Sequence, residues 1–220
     1  MNRKITALRL QKRNPNRVNV YLDGEFAFGL SRIVAAWLQV GQELSAEKIA
    51  ELQAQDAIEV AYQRALRFLE YRPRTRAEVQ RNLQKHETPP EVIEEVLQRL
   101  ERSGLLNDTA FAQAWIENRS AFRPRGIHAL RQELRQRGVP EEVITEALQH
   151  VQPQEAELAY QAGLKRVRRF ASLPWPDFRR KMGSYLARRG FPYPVIAEAL
   201  QRLWEESHPN HDNDAYEEIP

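Results

Sequence analysis

GIHALRQELRQRGVPEEVITEAL, residues 126–148, reads as a helix, a tight turn and a second helix. Ile127, Leu130 and Leu134 fall at helical spacing. Gly138 ends that helix, as a residue free to take positive φ does. Pro140 suits the start of the next helix, where a missing N–H costs little. Val143, Ile144, Ala147 and Leu148 give the second helix an apolar stripe.

The same pattern stands on both sides. Leu83, Leu134 and Leu186 are 51 and 52 residues apart, and so are Ile93, Ile144 and Ile196. Pro73, Pro124 and Pro176 keep the same two steps ahead of each unit. Several series in one register indicate a tandem triplication. The fold class expected is mainly α: three tandem three-helix, helix-turn-helix-like repeats in an elongated curved array, behind a small β-hairpin-containing extension. Modules of about 50 residues bury little surface alone, so neighbours should share faces.

The expected parts are an extension over 1–55, repeats over 56–103, 104–153 and 154–206, and a disordered acidic tail over 207–220. In the extension, Thr6, Leu8 and Leu10 alternate, Asn14-Pro15-Asn16 marks a turn, and Asp23-Gly24 is a hairpin signal between Val18–Leu22 and Phe26–Leu30. A cover helix capped by Ser31 is expected to turn Ile33, Val34, Trp37 and Leu38 inward and end near Gly41. Ser45 caps a long helix reaching about Tyr71, with room for a break near Gln55. Thr75 with Glu78, and Thr88 with Glu91, fit capping boxes. Asp108 is the expected cap of a helix carrying Phe111, Ala112, Trp115 and Ile116. In the third repeat Ala159, Ala162, Leu164 and Val167 are inward positions, Leu173–Pro176 is a loop, and Phe178, Met182, Tyr185 and Leu186 pack.

The 220 residues are 42% hydrophobic and 29% charged, with no Cys. Disulfides and thiolate metal sites are therefore excluded. No apolar run approaches the roughly 18 residues that span a membrane, and the N-terminus has no apolar signal core. A cytoplasmic monomer without cofactor is expected. No nucleophile elbow, P-loop or dinucleotide fingerprint occurs, which points away from an enzyme. His208 and His211 form an H-x-x-H without further ligands, too few for a metal site.

The net charge of +3 hides an asymmetry. Residues 205–220 hold six acidic groups and no Lys or Arg, so the first 204 residues carry +9. Lys165, Arg166, Arg168, Arg169, Arg179, Arg180, Lys181, Arg188 and Arg189 oppose only Asp177, a local net of +8 over 163–190. Arg119, Arg123, Arg125, Arg131, Arg135 and Arg137 oppose only Glu133, a net of +5 over 119–137. Arg72, Arg74 and Arg76 echo this in the first repeat. Stacked modules would join these clusters into a strip for a polyanion or an acidic protein surface. Any single Arg also reads as a solvated helix face. The basic residues of the strands read as a binding edge or as edge protection.

GLLNDTAFAQAWIENR (104–119), Gly126, LRQELRQRGVPEEVITEAL (130–148) and YRPRTRAEVQRNL (71–83) together resemble the RecX family of RecA regulators. The resemblance covers about residues 56–204 and departs most in the third repeat. It implies a non-enzymatic protein that binds the RecA filament on single-stranded DNA and restrains ATP hydrolysis, strand exchange and co-protease activity. It carries over no catalytic residue. The candidate contacts rest on charge: Arg72, Arg74, Arg76, Arg119, Arg123, Arg125, Arg131, Arg135, Lys165, Arg168, Arg169, Arg179, Lys181, Arg188 and Arg189. The alternative is a nucleic-acid-binding regulator that needs no RecA.

Overall fold

The computed structural model describes residues 2–208. Among them are four strands and ten α-helices, grouped into two compact units. The first unit holds the residues up to Arg74 and Glu78–Leu106; the second holds Thr75–Ala77 and runs on from Asn107.

The first unit begins with β1 (Arg3–Gln11), β2 (Asn14–Leu22) and β3 (Glu25–Ser31), a meander extended by the short β4 (Glu43–Leu44) into an antiparallel sheet of order β3-β2-β1-β4. The Asp23-Gly24 hairpin is formed, with φ of 52° and 92° at the two turn residues. The first turn is Lys12-Arg13 instead of Asn14-Pro15-Asn16, which opens β2. β1 also departs from simple alternation. A bulge between Ile5 and Ala7 shifts its phase. Ile5 is therefore fully buried, Leu8 packs against the core and Leu10 stays 59% exposed.

The expected cover helix shrinks to one turn, α1 (Arg32–Ala35). Ala35 and Leu38 point inward, whereas Ile33 and Trp37 are exposed. The apolar face of the sheet is closed further by Ile49 and Leu52 of α2 (Ala46–Leu69). Ser45 caps α2 through the Lys48 N–H. The helix continues unbroken past Gln55 and packs at its far end with α3 (Arg76–Gln84) and α4 (Pro90–Arg102) on a core of Ala61, Ala65, Val79, Leu83, Val96 and Leu97. Pro89 occupies the N-cap of α4 without a side-chain bond, so the second capping box is not formed.

The second unit contains α5 (Asp108–Phe122), α6 (Ile127–Arg137), α7 (Glu141–Gln149), α8 (Glu155–Phe170), α9 (Trp175–Arg188) and α10 (Tyr193–Ser207). These six helices share one hydrophobic core. Asn107, not Asp108, caps α5, accepting from the Ala110 N–H. Leu164 is exposed, and Trp175 opens α9 instead of standing in a loop. The helix α10 runs on to Ser207, and His208 stacks on Trp204 with its Nε2 2.7 Å from the Ala171 carbonyl. The order therefore extends past Trp204; the rest of the expected tail, with His211, lies outside the described residues.

The repeat is visible in the helix ends. The N–H groups of Thr88, Val139 and Phe191 reach back to the carbonyls of Leu83, Leu134 and Leu186. Each bond spans five residues around a left-handed residue, which closes the helix. Gly138 and Gly190 fill that position at φ 83° and 85°. In the first repeat Glu87 fills it at φ 55°, a conformation that costs an L side chain about 1–2 kcal/mol. Leu83, Leu134 and Leu186 are all fully buried. Truncating any one to Ala should cost about 2–5 kcal/mol. Urea unfolding of the three variants measures this, and a loss below about 1 kcal/mol would contradict equivalent core roles.

Candidate functional site

The second unit is built on a recurring junction. The first N–H groups of a helix lack intrahelical acceptors. At the start of α6 the Gly126 N–H donates to the Arg189 carbonyl at 2.9 Å, and the Ile127 N–H to Glu155 Oε1 at 2.8 Å. Glu155 is the first residue of α8 and is buried. At the start of α3 the Thr75 hydroxyl donates to the Arg137 carbonyl at 2.7 Å, and the Arg76 N–H to Asp108 Oδ1 at 2.8 Å. Asp108 is the first residue of α5. Its carboxylate thus serves the Arg76 N–H, and Asn107 caps α5.

At the α6–α9 contact the backbones nearly touch. A Cβ on Gly126 would sit 2.2 Å from the Gly190 carbonyl oxygen, and one on Gly190 would meet Ala129 at 2.5 Å. No side chain fits either place. Gly126→Ala should therefore force the second unit apart locally, with a loss of at least about 1–3 kcal/mol. Calorimetry tests this; an unchanged Tm would show that the contact is slack.

The junction leaves an open groove of about 530 Å³, with Arg125, His128 and Gln132 on one side and Arg188 on the other. The expected basic residues of the second unit fall into two classes. The first is occupied by acids and carbonyls. Glu133 is a hub: it accepts from Trp115 Nε1 and Arg119 at 2.8 Å and pairs with Arg125 at 2.9 Å. The Arg119 and Arg137 guanidiniums also lie over the Trp115 ring, at 4.3 and 4.7 Å. Arg131 and Arg135 share one acid, Glu141 at the start of α7, each at 2.7 Å. Lys165 donates to the Phe122 carbonyl, Arg189 to the Pro124 carbonyl and Arg179 to the Tyr193 hydroxyl.

The second class is uncommitted. Arg123, Arg168, Arg169, Lys181 and Arg188 are exposed, and their side chains make no ion pair or hydrogen bond among the described residues. The one acid nearby in sequence, Asp177, is held by Arg180 at 2.8 Å and lies below the ordinary carboxylate range because of that bond. In the first unit Arg72 is paired with Glu78 at 3.0 Å, and Arg74 lies 4.0 Å over the Phe68 ring. Arg76 contributes its N–H to the junction.

Sequence reasoning missed Glu133 and Glu141 as the groups that consume the clustered charge. Glu133 was legible as the one acid among six arginines. Glu141 was not, because its two partners come from the preceding helix across the turn. Among the described residues no group of His, Asp and Glu is placed to hold a metal ion, and no helix is long and apolar enough to cross a membrane.

Four domain patterns match the chain in order: the RecX N-terminal domain over residues 3–45, and the first, second and third RecX three-helix domains over 61–100, 107–148 and 153–200. The chain belongs to the RecX family. The "Regulatory protein RecX" of Bacillus subtilis is 33% identical over 96% of this chain and 81% of its own length. That of Bacillus velezensis is 34% identical over 90% and 76%. A crystal structure of a regulatory protein RecX superposes with a TM-score of 0.74 at 33% identity, covering 89% of this chain and 97% of the other. A RecX structure from Lactobacillus salivarius, at 24% identity and a TM-score of 0.63, shares the fold over 68% of this chain. The family is thus one of regulatory proteins, and the third three-helix domain is present even where the sequence resemblance was loosest.

Glu141 offers a direct test of the charge balance. Its carboxyl is held below the usual Glu range, chiefly by the hydrogen bond from Arg135, with the charges of Arg135 and Arg131 adding to it. A lowered folded-state pKa gives stability that is complete above the ordinary Glu value and lost as pH falls through the lowered one. Glu141→Gln should remove that acid-sensitive increment and set both arginines free. The expected outcome is a higher salt concentration for elution from immobilised heparin. Unchanged elution would exclude Arg131 and Arg135 from any polyanion-binding surface.

Proposed function

We propose that this RecX-family protein docks on the RecA filament assembled on single-stranded DNA and restrains its ATPase, and with it strand exchange and co-protease activity. The observation that carries the reading is the uncompensated charge of the second unit. Arg123, Arg168, Arg169, Lys181 and Arg188 remain unpaired although acids of the same unit satisfy their neighbours. Unpaired guanidiniums on helix surfaces suit phosphates or carboxylates of a large acidic partner. Arg119, Arg125, Arg131 and Arg135, held by Glu133 and Glu141, join the contact when those acids are displaced. No catalytic residue is needed, since the reading asks only for binding energy. The protein acts from the cytoplasm as a monomer, with no cofactor.

The test compares wild-type protein with Arg168→Glu/Arg169→Glu in a RecA ATPase assay on single-stranded DNA. Both positions are exposed, so circular dichroism should show an unaltered fold. At about 1 kcal/mol for each reversed contact, half-inhibition should need roughly thirtyfold more of the double variant. If these arginines touch phosphates, each lost contact lowers the salt slope of bare-DNA binding by about 0.7–0.9. If they touch acidic RecA side chains, bare-DNA binding changes less than filament binding. Wild-type protein that binds DNA but leaves the filament ATPase unaltered would instead favour a RecA-independent nucleic-acid regulator.

A further inference from the structure

The first unit contains a cleft of about 380 Å³ where the start of β2 and the end of β3 meet the middle of α2. It lies within the range of small-ligand sites. The acid in its lining, Glu59, and Asp56, which pairs with the lining Arg17, are already matched. Asp56 is paired with Arg17 at 2.9 Å and accepts the Ser31 N–H, and Glu59 accepts from Arg99 at 2.8 Å and from Gln63 at 2.9 Å. Two further guanidiniums on the cleft, Arg32 and Arg67, are exposed and have no partner among the described residues. The lining is therefore cationic after its internal pairs are formed.

Two other features point to an occupant. Ser31 lines the cleft, and its hydroxyl is buried and makes no hydrogen bond, although Ser31 stands at a helix N-cap. A buried hydroxyl left without a partner is uncommon and costly. The amides of the cleft also keep unused capacity. Asn14 spends its carbonyl oxygen on the Asn16 N–H, which leaves its NH2 group, while Gln63 spends its NH2 group on Glu59, which leaves its carbonyl oxygen. Ile33 and Val60 supply apolar surface beside these groups.

We propose that this cleft is a nucleotide-binding site. Arg32 and Arg67 take the phosphate, which a guanidinium fork matches better than an ammonium does. Asn14 and Gln63 offer one donor and one acceptor to a base or sugar edge, and Ile33 and Val60 lie against the base. The role assigned to the cleft is binding. The shared chemistry is a nucleoside phosphate, from a free nucleotide or from one residue of a single-stranded DNA.

The experiment uses the full chain without RecA. ADP is titrated by calorimetry, and a 5′-phosphorylated oligo(dT) by fluorescence anisotropy, against wild type, Arg32→Ala/Arg67→Ala and Ser31→Ala. Arg168→Glu/Arg169→Glu serves as the control in the second unit. The expected result is binding of at least one probe that the Arg32→Ala/Arg67→Ala pair weakens by about tenfold or more and Ser31→Ala weakens less. The second-unit control retains whatever ADP binding the wild type shows. Loss of ADP binding assigns a free nucleotide; loss of oligonucleotide binding alone assigns a strand. Wild-type protein that binds neither probe at about 1 mM, or a folded Arg32→Ala/Arg67→Ala variant that binds both as tightly as wild type, overturns the proposal. Neither result bears on the filament assay, whose variants lie in the other unit.

Discussion

The second unit depends on how one helix start is satisfied by the next repeat. The N–H groups at the start of α6, which lack intrahelical acceptors, find them at the Arg189 carbonyl and the Glu155 carboxylate. The approach is close enough that Gly126 and Gly190 admit no side chain. A helix N-terminus carries a partial positive charge, so a carboxylate there is stabilising as well as bonded. The start of α3 repeats the device with Thr75, Arg137 and Asp108. A module of this size buries too little to be firm alone. Within the second unit directional polar bonds fix the helix starts, while the shared core of α5–α10 supplies the apolar burial.

The same geometry sorts the basic residues. Charge density along the chain treats every Arg alike, but burial and ion pairing do not. Glu133 draws Arg119 and Arg125 inward beside Trp115, and Glu141 holds Arg131 and Arg135 across the turn. Such pairs hold side chains in defined positions more than they stabilise the fold. What remains uncommitted is a smaller set on α8, on α9 and before α6. That set has the exposure and the unspent charge that recognition of an acidic partner needs. The first unit shows the same logic in miniature, where Asp56 and Glu59 satisfy their own arginines and leave Arg32 and Arg67 open.

The threefold repeat was legible because it is a matter of period. Core leucines, turn glycines and prolines keep their spacing whatever surrounds them, and Leu83, Leu134 and Leu186 lie where that spacing puts them. Gly138 and Gly190 were equally readable, since a left-handed helix end selects glycine locally. The β hairpin at Asp23-Gly24 belongs with these. Local chemistry decided each of these features, so local sequence sufficed.

The misread features all depend on distant partners. A bulge in β1 exchanged Ile5 for Thr6 as the inward residue, and register between strands is not visible in one strand. Trp37 looked like cover for the sheet, but α2 closes that face and leaves it exposed. Asp108 looked like a cap for its own helix and proved to cap α3. The clusters of +5 and +8 were correct as sums, yet which cation is free was set by acids brought close only on folding. Sequence by itself determined the repeat, its cores and its net charge, because these follow from composition and period. Tertiary structure decided which charges face solvent and which clefts stay open, because ion pairing and burial depend on distances between residues far apart in the chain.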